Sequence, residues 1–166
     1  MLTPFEKLSD NARIWIYQAD RVLNASEQKE ILAQTDSFLH QWAAHGQALL
    51  ASAKIEHGHF LIICTDESFN LASGCSIDSS VRFVQELGEQ FKVNFFERSN
   101  LAFLINSSVK LVPMQAVKAE VANENIAANT LFFNNTVGTK AELDTKWCVK
   151  ANESWLKRYF QQAESV

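Results

Sequence analysis

One cysteine carries most of the chemical interest of this sequence. In "SGCSID", residues 73–78, Cys75 sits between Gly74 and Ser76, just ahead of an amphipathic run. A thiol at a helix N-terminus meets the positive end of the dipole and unpaired N–H groups, and both favour the thiolate. A thiol nucleophile also needs a base, and His45 in the loop "AHGQ" is the candidate. Gly74 would let backbone amides approach a reacting oxygen. The competing reading is structural: Gly74 frees a turn, Ser76 or Asp78 caps the helix, and Cys75 fills a small gap. Asp66, Glu67 and Asp78 would oppose a thiolate close to them. Known nucleophile patterns do not match. Val81 stands where a phosphatase loop has its arginine, and Arg82 follows one position late. The glycines of a nucleophile elbow are replaced by Ser73 and Ile77 around Cys75, and by Gly74 and Asp78 around Ser76.

The same stretch can be read as a binding site. Ser73, Gly74 and Ser76, with Ser79 and Ser80 behind them, suit an anion at a helix start. The neighbouring Asp66 and Glu67 instead favour a neutral polar ligand or a peptide. The glycines, at 46, 58, 74, 88 and 138, are isolated, and no phosphate-cradling GxxxxGK[ST] or GxGxxG occurs. In "EHGH", His57 and His59 lack a third ligand, and HExxH and paired CxxC are missing. No metal and no cofactor are therefore expected.

The elements that must position these residues follow from periodicity. "RIWIYQA" (13–19) is β-branched and aromatic and reads as a strand. Asn24 and Glu27 have capping-box spacing. Ile31, Thr35, Phe38, Leu39 and Trp42 then recur at helical intervals, giving a helix over roughly 25–45 that stops at Gly46. His57-Gly58 reads as a two-residue hairpin turn that sets Ile55 opposite Phe60, Ala53 opposite Ile62 and Ala51 opposite Cys64. Ile77, Val81, Val84, Leu87 and Phe91 mark a second helix, and "NLAFLI" (100–105) a fourth strand. The order β-α-β-β-α-β is that of a ferredoxin-like α+β fold with an antiparallel sheet. A single domain over 1–166 is expected, with a core over about 12–106 and an extension over about 107–166. In the extension, "PMQAVKAEVANEN" reads as helical from Pro113, "TLFFNNTV" as a strand, and "TKAELDTKW" and "ANESWLKRYF" as short helices.

In such a fold the loops after the first helix and before the second share one end. His45, Asp66, Glu67, Ser73, Cys75 and Ser76 should gather there, remote from His57 and His59. Ile14 and Ile16 are expected to face the helices. Arg13, Trp15 and Tyr17 would then lie on the open face with Lys54, Leu61 and Ile63. Aromatics on an open sheet are how RNA-recognition modules stack bases. The RNP consensus is missing, however, and the net charge is −4, so nucleic acid is not an expected partner. A face this apolar does not stay wet. The C-terminal segment, with Phe132, Phe133, Trp147, Trp155, Tyr159 and Phe160, is expected to cover it. Partial cover would leave a pocket or a homodimer surface.

Composition fits a globular chain: 47% hydrophobic and 20% charged. The longest apolar runs are too short to span a bilayer, and the first residues carry Glu6 and no apolar h-region. Three widely spaced cysteines fit a reducing cytoplasm better than a disulfide framework.

The segments "RIWIYQADR", "HGQALLASAKI", "DESFNLASGCSIDSSVRFVQELG", "FFERSNLAF", "FFNNTVGTKAEL" and "ESWLKRYF" together resemble a family of small uncharacterised bacterial proteins. Some members carry the label "ABC transporter ATPase". The resemblance spans nearly the whole chain but implies no catalytic residues. The label does not suit this sequence, which has neither a Walker loop nor a Gly-rich signature. The expectation is a non-catalytic binding or assembly module, using the sheet face of Trp15 and Tyr17 or the loop around Ser73 and Ser76. The alternative is a thiol-dependent enzyme or redox protein using Cys75 with His45.

Overall fold

The computed structural model describes residues 1–164. Residues 165 and 166, the end of the expected extension, lie outside them. Among the described residues the protein is a mixed α+β structure with five α-helices and antiparallel sheets. It divides into two compact units: residues 1–97 with 138–141, and residues 98–137 with 142–166.

The first unit contains β1 (Arg13–Gln18), α1 (Ala25–Gln41), β2 (Ala43–Ala44), β3 (Gln47–Ala48), β4 (Leu50–Glu56), β5 (Phe60–Asp66) and α2 (Gly74–Phe91). Helix α1 starts where its sequence says it should. The Asn24 side chain accepts from the Glu27 amide at 2.8 Å, and Glu27 accepts from the Asn24 amide at 3.0 Å. Arg21 adds a fork to the same carboxylate. Its ion pair and the cap's backbone bond hold Glu27 down at about 2.

Strands β1, β5 and β4 form one antiparallel sheet in that order. The expected fourth strand does not join it, which corrects the ferredoxin-like sheet. The outer edge of β1 is instead met by residues 138–139. The Ile14 amide donates to Gly138 O at 3.1 Å, and Arg13 bridges Thr139. Lys140, buried beside them, donates its Nζ to Leu8 O at 2.7 Å and to Glu6 O at 3.2 Å. A segment distant in sequence thus covers the start of the edge that a strand would have covered.

The hairpin also departs from expectation, by one residue. Glu56 pairs with Phe60, Ile55 with Leu61, Ala53 with Ile63 and Ala51 with Thr65. The connection is three residues long because His57 and Gly58 both take positive φ (+56° and +64°) and His59 stays in the turn, its amide bonded to Glu56 O. A one-residue slip exchanges faces, so Lys54 now sits opposite Ile62, away from Leu61 and Ile63.

The face assignment inverts as well. Trp15 pairs with Ile63 and Tyr17 with Leu61, and these residues pack on the helices with Ile31, Leu39, Trp42, Val84 and Leu87. Trp15 and Tyr17 therefore belong to the helix-covered core and not to an open face. All of β5 is buried, so its alternation carries no amplitude from which a side could be read. The other face, with Phe60, Ile62 and Cys64, is fully buried too.

Helix α2 buries Ser76, Ser80, Val84, Leu87 and Gly88, a stripe rotated away from the expected Ile77 and Val81. Small serines can face the core because each hydroxyl bonds a carbonyl of its own chain: Ser76 to Ser73 O and Ser80 to Ile77 O.

The second unit contains β6 (Asn100–Ile105), β7 (Ser108–Pro113), α3 (Val117–Ala122), β8 (Leu131–Phe133), α4 (Lys140–Lys146), β9 (Cys148–Lys150) and α5 (Arg158–Glu164), with α4 beginning in the 138–141 segment of the first unit. Its sheet runs β7-β6-β8-β9. The strand expected to close the 12–106 core is thus the second strand of this sheet. It is drawn there by a hairpin through Asn106-Ser107, both at positive φ, to β7, a strand the sequence reading leaves out. Phe103, Phe132, Val112, Ile126 and Leu156 form a core of its own, with Tyr159 and Phe160 packed on it. No helix among the described residues is long and apolar enough to cross a membrane.

Candidate functional site

The end of the first unit that carries Cys75 is assembled from three pieces. The first is the turn after α1. Trp42 caps that helix, its amide bonded to Leu39 O at 3.2 Å. The chain then makes a tight hairpin, β2–β3, whose turn residues His45 and Gly46 both have positive φ (+53° and +77°). The expected helix over 25–45 thus ends at Gln41, because "AHGQ" has its own hairpin chemistry. His45 is exposed at the tip.

The second piece is the loop from Asp66 to Ser73. Asp66 is buried and accepts from the amide and hydroxyl of Ser68 and from the Ser9 amide. The Ser68 bonds lead in holding its carboxyl below the usual carboxylate range, against the opposing effect of burial. Glu67 accepts from the Ala72 amide at 2.9 Å and lies 4.0 Å from the Arg13 guanidinium. Asn70 donates to Gln47 O at 2.9 Å and to Ala44 O at 3.3 Å, tying this loop to the His45 hairpin. Between these anchors Phe69 and Leu71 point into solvent, 87% and 67% exposed.

The third piece is the first turn of α2. Ser73, not Ser76 or Asp78, is the cap, accepting from the Ser76 amide at 3.1 Å. Gly74 is the first helical residue. It has no positive φ, and a Cβ there would meet nothing within 4 Å, so neither a turn nor a close approach requires glycine. Cys75 is exposed on this turn. The hydroxyls expected to hold an anion are taken up internally: Ser73 and Ser76 bond each other, and Ser79 donates to Ser76 O.

The predicted gathering is therefore visible for the hairpin of His45, the acids and the α2 start. The Asn70 bonds and a 2.8 Å bond from Trp42 Nε1 to Ser76 O join them. Among the described residues His45 and Cys75 do not hydrogen-bond to each other. His57 and His59 stand at the far end of the β4–β5 hairpin from Asp66. His57 is exposed and His59 buried, so the turn does not present the two imidazoles together. No cluster of three His, Cys, Asp or Glu side chains is found among the described residues. Of the other thiols, Cys64 is pushed up to about 12, chiefly by burial, and burial also raises Cys148.

Sequence reasoning missed an open groove between α1 and α2, of about 640 Å³. Its aromatic floor is Phe38, Phe83 and Trp42. Phe38 and Phe83 stack face to face at 4.5 Å, and Trp42 lies 6.0 Å from Phe38. Gln34, Ser37, Gln41 and Ser79 line it further, and no charged residue does. Phe69 and Leu71 were missed as well. Their i, i+2 spacing around Asn70 in "ESFNLAS" is the one trace in the sequence of their outward projection.

Comparison with protein-family models, with curated proteins and with solved structures gave no match in any of the three.

Proposed function

We propose that the protein is a non-catalytic interaction module whose working surface is this end of the first unit, and that it takes a short peptide segment with an apolar anchor and uncharged flanks. The observation that carries the reading is the contrast between anchoring and exposure. A loop fixed by Asp66, Glu67 and Asn70 presents Phe69 and Leu71 to solvent, at the same end as an uncharged aromatic groove. Rigidly presented apolar side chains lose little entropy on binding, and large exposed apolar groups mark contact sites. Against a thiol-dependent enzyme stands the use made of the surrounding groups. Ser73, Ser76, Asp66 and Glu67 are all occupied in holding backbone. Membership in the family of small bacterial proteins that the sequence resembles is part of this proposal and brings no activity with it. Three free cysteines fit a reducing compartment.

The test is selection from a random peptide library displayed on phage. Selected peptides should share an aromatic or aliphatic anchor with uncharged neighbours. Binding should fall by about tenfold or more in Phe83→Gln, as for an anchor pocket. A library that yields no binder, or binders indifferent to Phe83→Gln, would remove the proposal.

A further inference from the structure

We infer that the partner of this surface is a second copy of the same chain, with Phe69 and Leu71 of each copy seated in the α1–α2 groove of the other. This rests on the reading of the groove as an acceptor site. A two-fold dimer needs a surface complementary to itself, so that residue i meets j and j meets i. Here projection and recess occur at one end of one unit. Asn70, between the projecting residues, bonds Ala44 O and Gln47 O, and Ala43 on the same small hairpin lines the groove. One two-fold axis through that end can bring each projection to the other recess.

Charge points the same way. Each chain carries a net −4, so two copies repel wherever acidic surfaces meet. The loop tip from Ser68 to Leu71 is uncharged, and so is the lining of the groove. The loop tip and the groove lining can therefore meet without opposing like charges, with the part-buried Glu67 and the exposed Asp78 standing beside the contact. Area fits a weak, reversible dimer. Phe69 is 87% exposed and Leu71 67%, and the open groove offers about 640 Å³ to receive them. A buried aromatic ring removes roughly 150–250 Å² from water. With its groove wall, with Leu71, and doubled by symmetry, the contact reaches roughly 800–900 Å², the size of a weak, reversible interface.

Sedimentation velocity on the full chain, over roughly 1–100 μM, tests this. The wild type should pass from monomer to dimer within that range. Phe69→Ser with Leu71→Ser removes the projection and should leave a monomer throughout. Both sites are exposed, so the fold is retained. Phe83→Gln damages the recess and should also be monomeric. Mixing the two variants restores one of the two insertions, and a heterodimer weaker than the wild-type dimer should appear. A wild type that stays monomeric throughout overturns the inference, as does a dimer unchanged by Phe69→Ser with Leu71→Ser. Should a monomeric wild type still select groove-binding peptides, self-docking fails while the interaction reading stands; if it selects none, both fail.

Discussion

Trp42 is the side chain on which the candidate site hangs, and its replacement by phenylalanine isolates the link. Trp42 is 3% exposed; its backbone amide caps α1, and its indole Nε1 donates to Ser76 O at 2.8 Å, joining the end of one helix to the first turn of the next. Phenylalanine keeps a ring beside Trp15 and Phe38 but loses the donor. A buried hydrogen bond of this kind contributes about 1 kcal/mol net. The Ser76 carbonyl is not orphaned, because the Ser79 hydroxyl still donates to it at 2.8 Å, so no further desolvation penalty arises. The smaller ring leaves roughly 40 Å³, worth about 1 kcal/mol more where neighbours do not collapse. The expected loss is therefore about 2 kcal/mol. Urea unfolding followed by far-ultraviolet circular dichroism reads it as a lower midpoint at constant slope. Trp155→Phe is the control: at 38% exposure it should cost under about 0.5 kcal/mol. A Trp42→Phe protein as stable as that control would refute the claim that this indole fastens the two helices.

Three further outcomes are expected. In Gly88→Ala a Cβ would stand 2.5 Å from Val93 O, a backbone atom fixed by the Val93 amide's own bond to Gly88 O. The substitution should destabilise by about 1–3 kcal/mol despite a helix-propensity gain of about 1, and a rise in melting temperature would count against the close approach. His59 is buried with Nδ1 unpartnered, and burial first, then His57, pushes its pKa down against a bond to the Ala19 backbone. Its neutral form is favoured by folding, so stability is complete above an unfolded-state pKa of about 6.5 and is lost as pH falls below it. Asp66 and Glu27, whose values are lowered, add to acid loss only in the lower carboxylate range. Urea midpoints from pH 7.5 to 5 should decline and flatten in His59→Gln; a wild-type profile already flat would dismiss the assignment. Finally, iodoacetamide with peptide mass spectrometry should label Cys75 first, Cys148 more slowly and Cys64 only on unfolding. Labelling of Cys64 in the native protein would contradict its burial.

The chain's local chemistry determined what local forces settle. Asn24 and Glu27 close their capping box because both partners lie within one turn. The α2 helix covers its periodic run from Ile77 to Phe91 and starts three residues earlier, at Gly74, and His57-Gly58 turns the chain because glycine accepts positive φ. The end at which the His45 hairpin meets the acidic loop was also legible, since it follows from connectivity alone. Tertiary structure decided the rest. Alternation along β1 groups Trp15 with Tyr17 but cannot say which side the helices take when both faces of the neighbouring β5 are buried. The hairpin register turned on whether His59 extends or stays in the turn, a difference of one residue that moved Lys54 to the other face. Strand β6 had two sheets it could join, and the Asn106-Ser107 turn, formed without glycine, delivered it to β7 and β8. The Phe38, Phe83 and Trp42 groove carries no signature, and the exposed Phe69 only its spacing from Leu71, because exposure belongs to the assembled surface. An apolar side chain in the sequence looks the same whether the fold buries it or leaves it out.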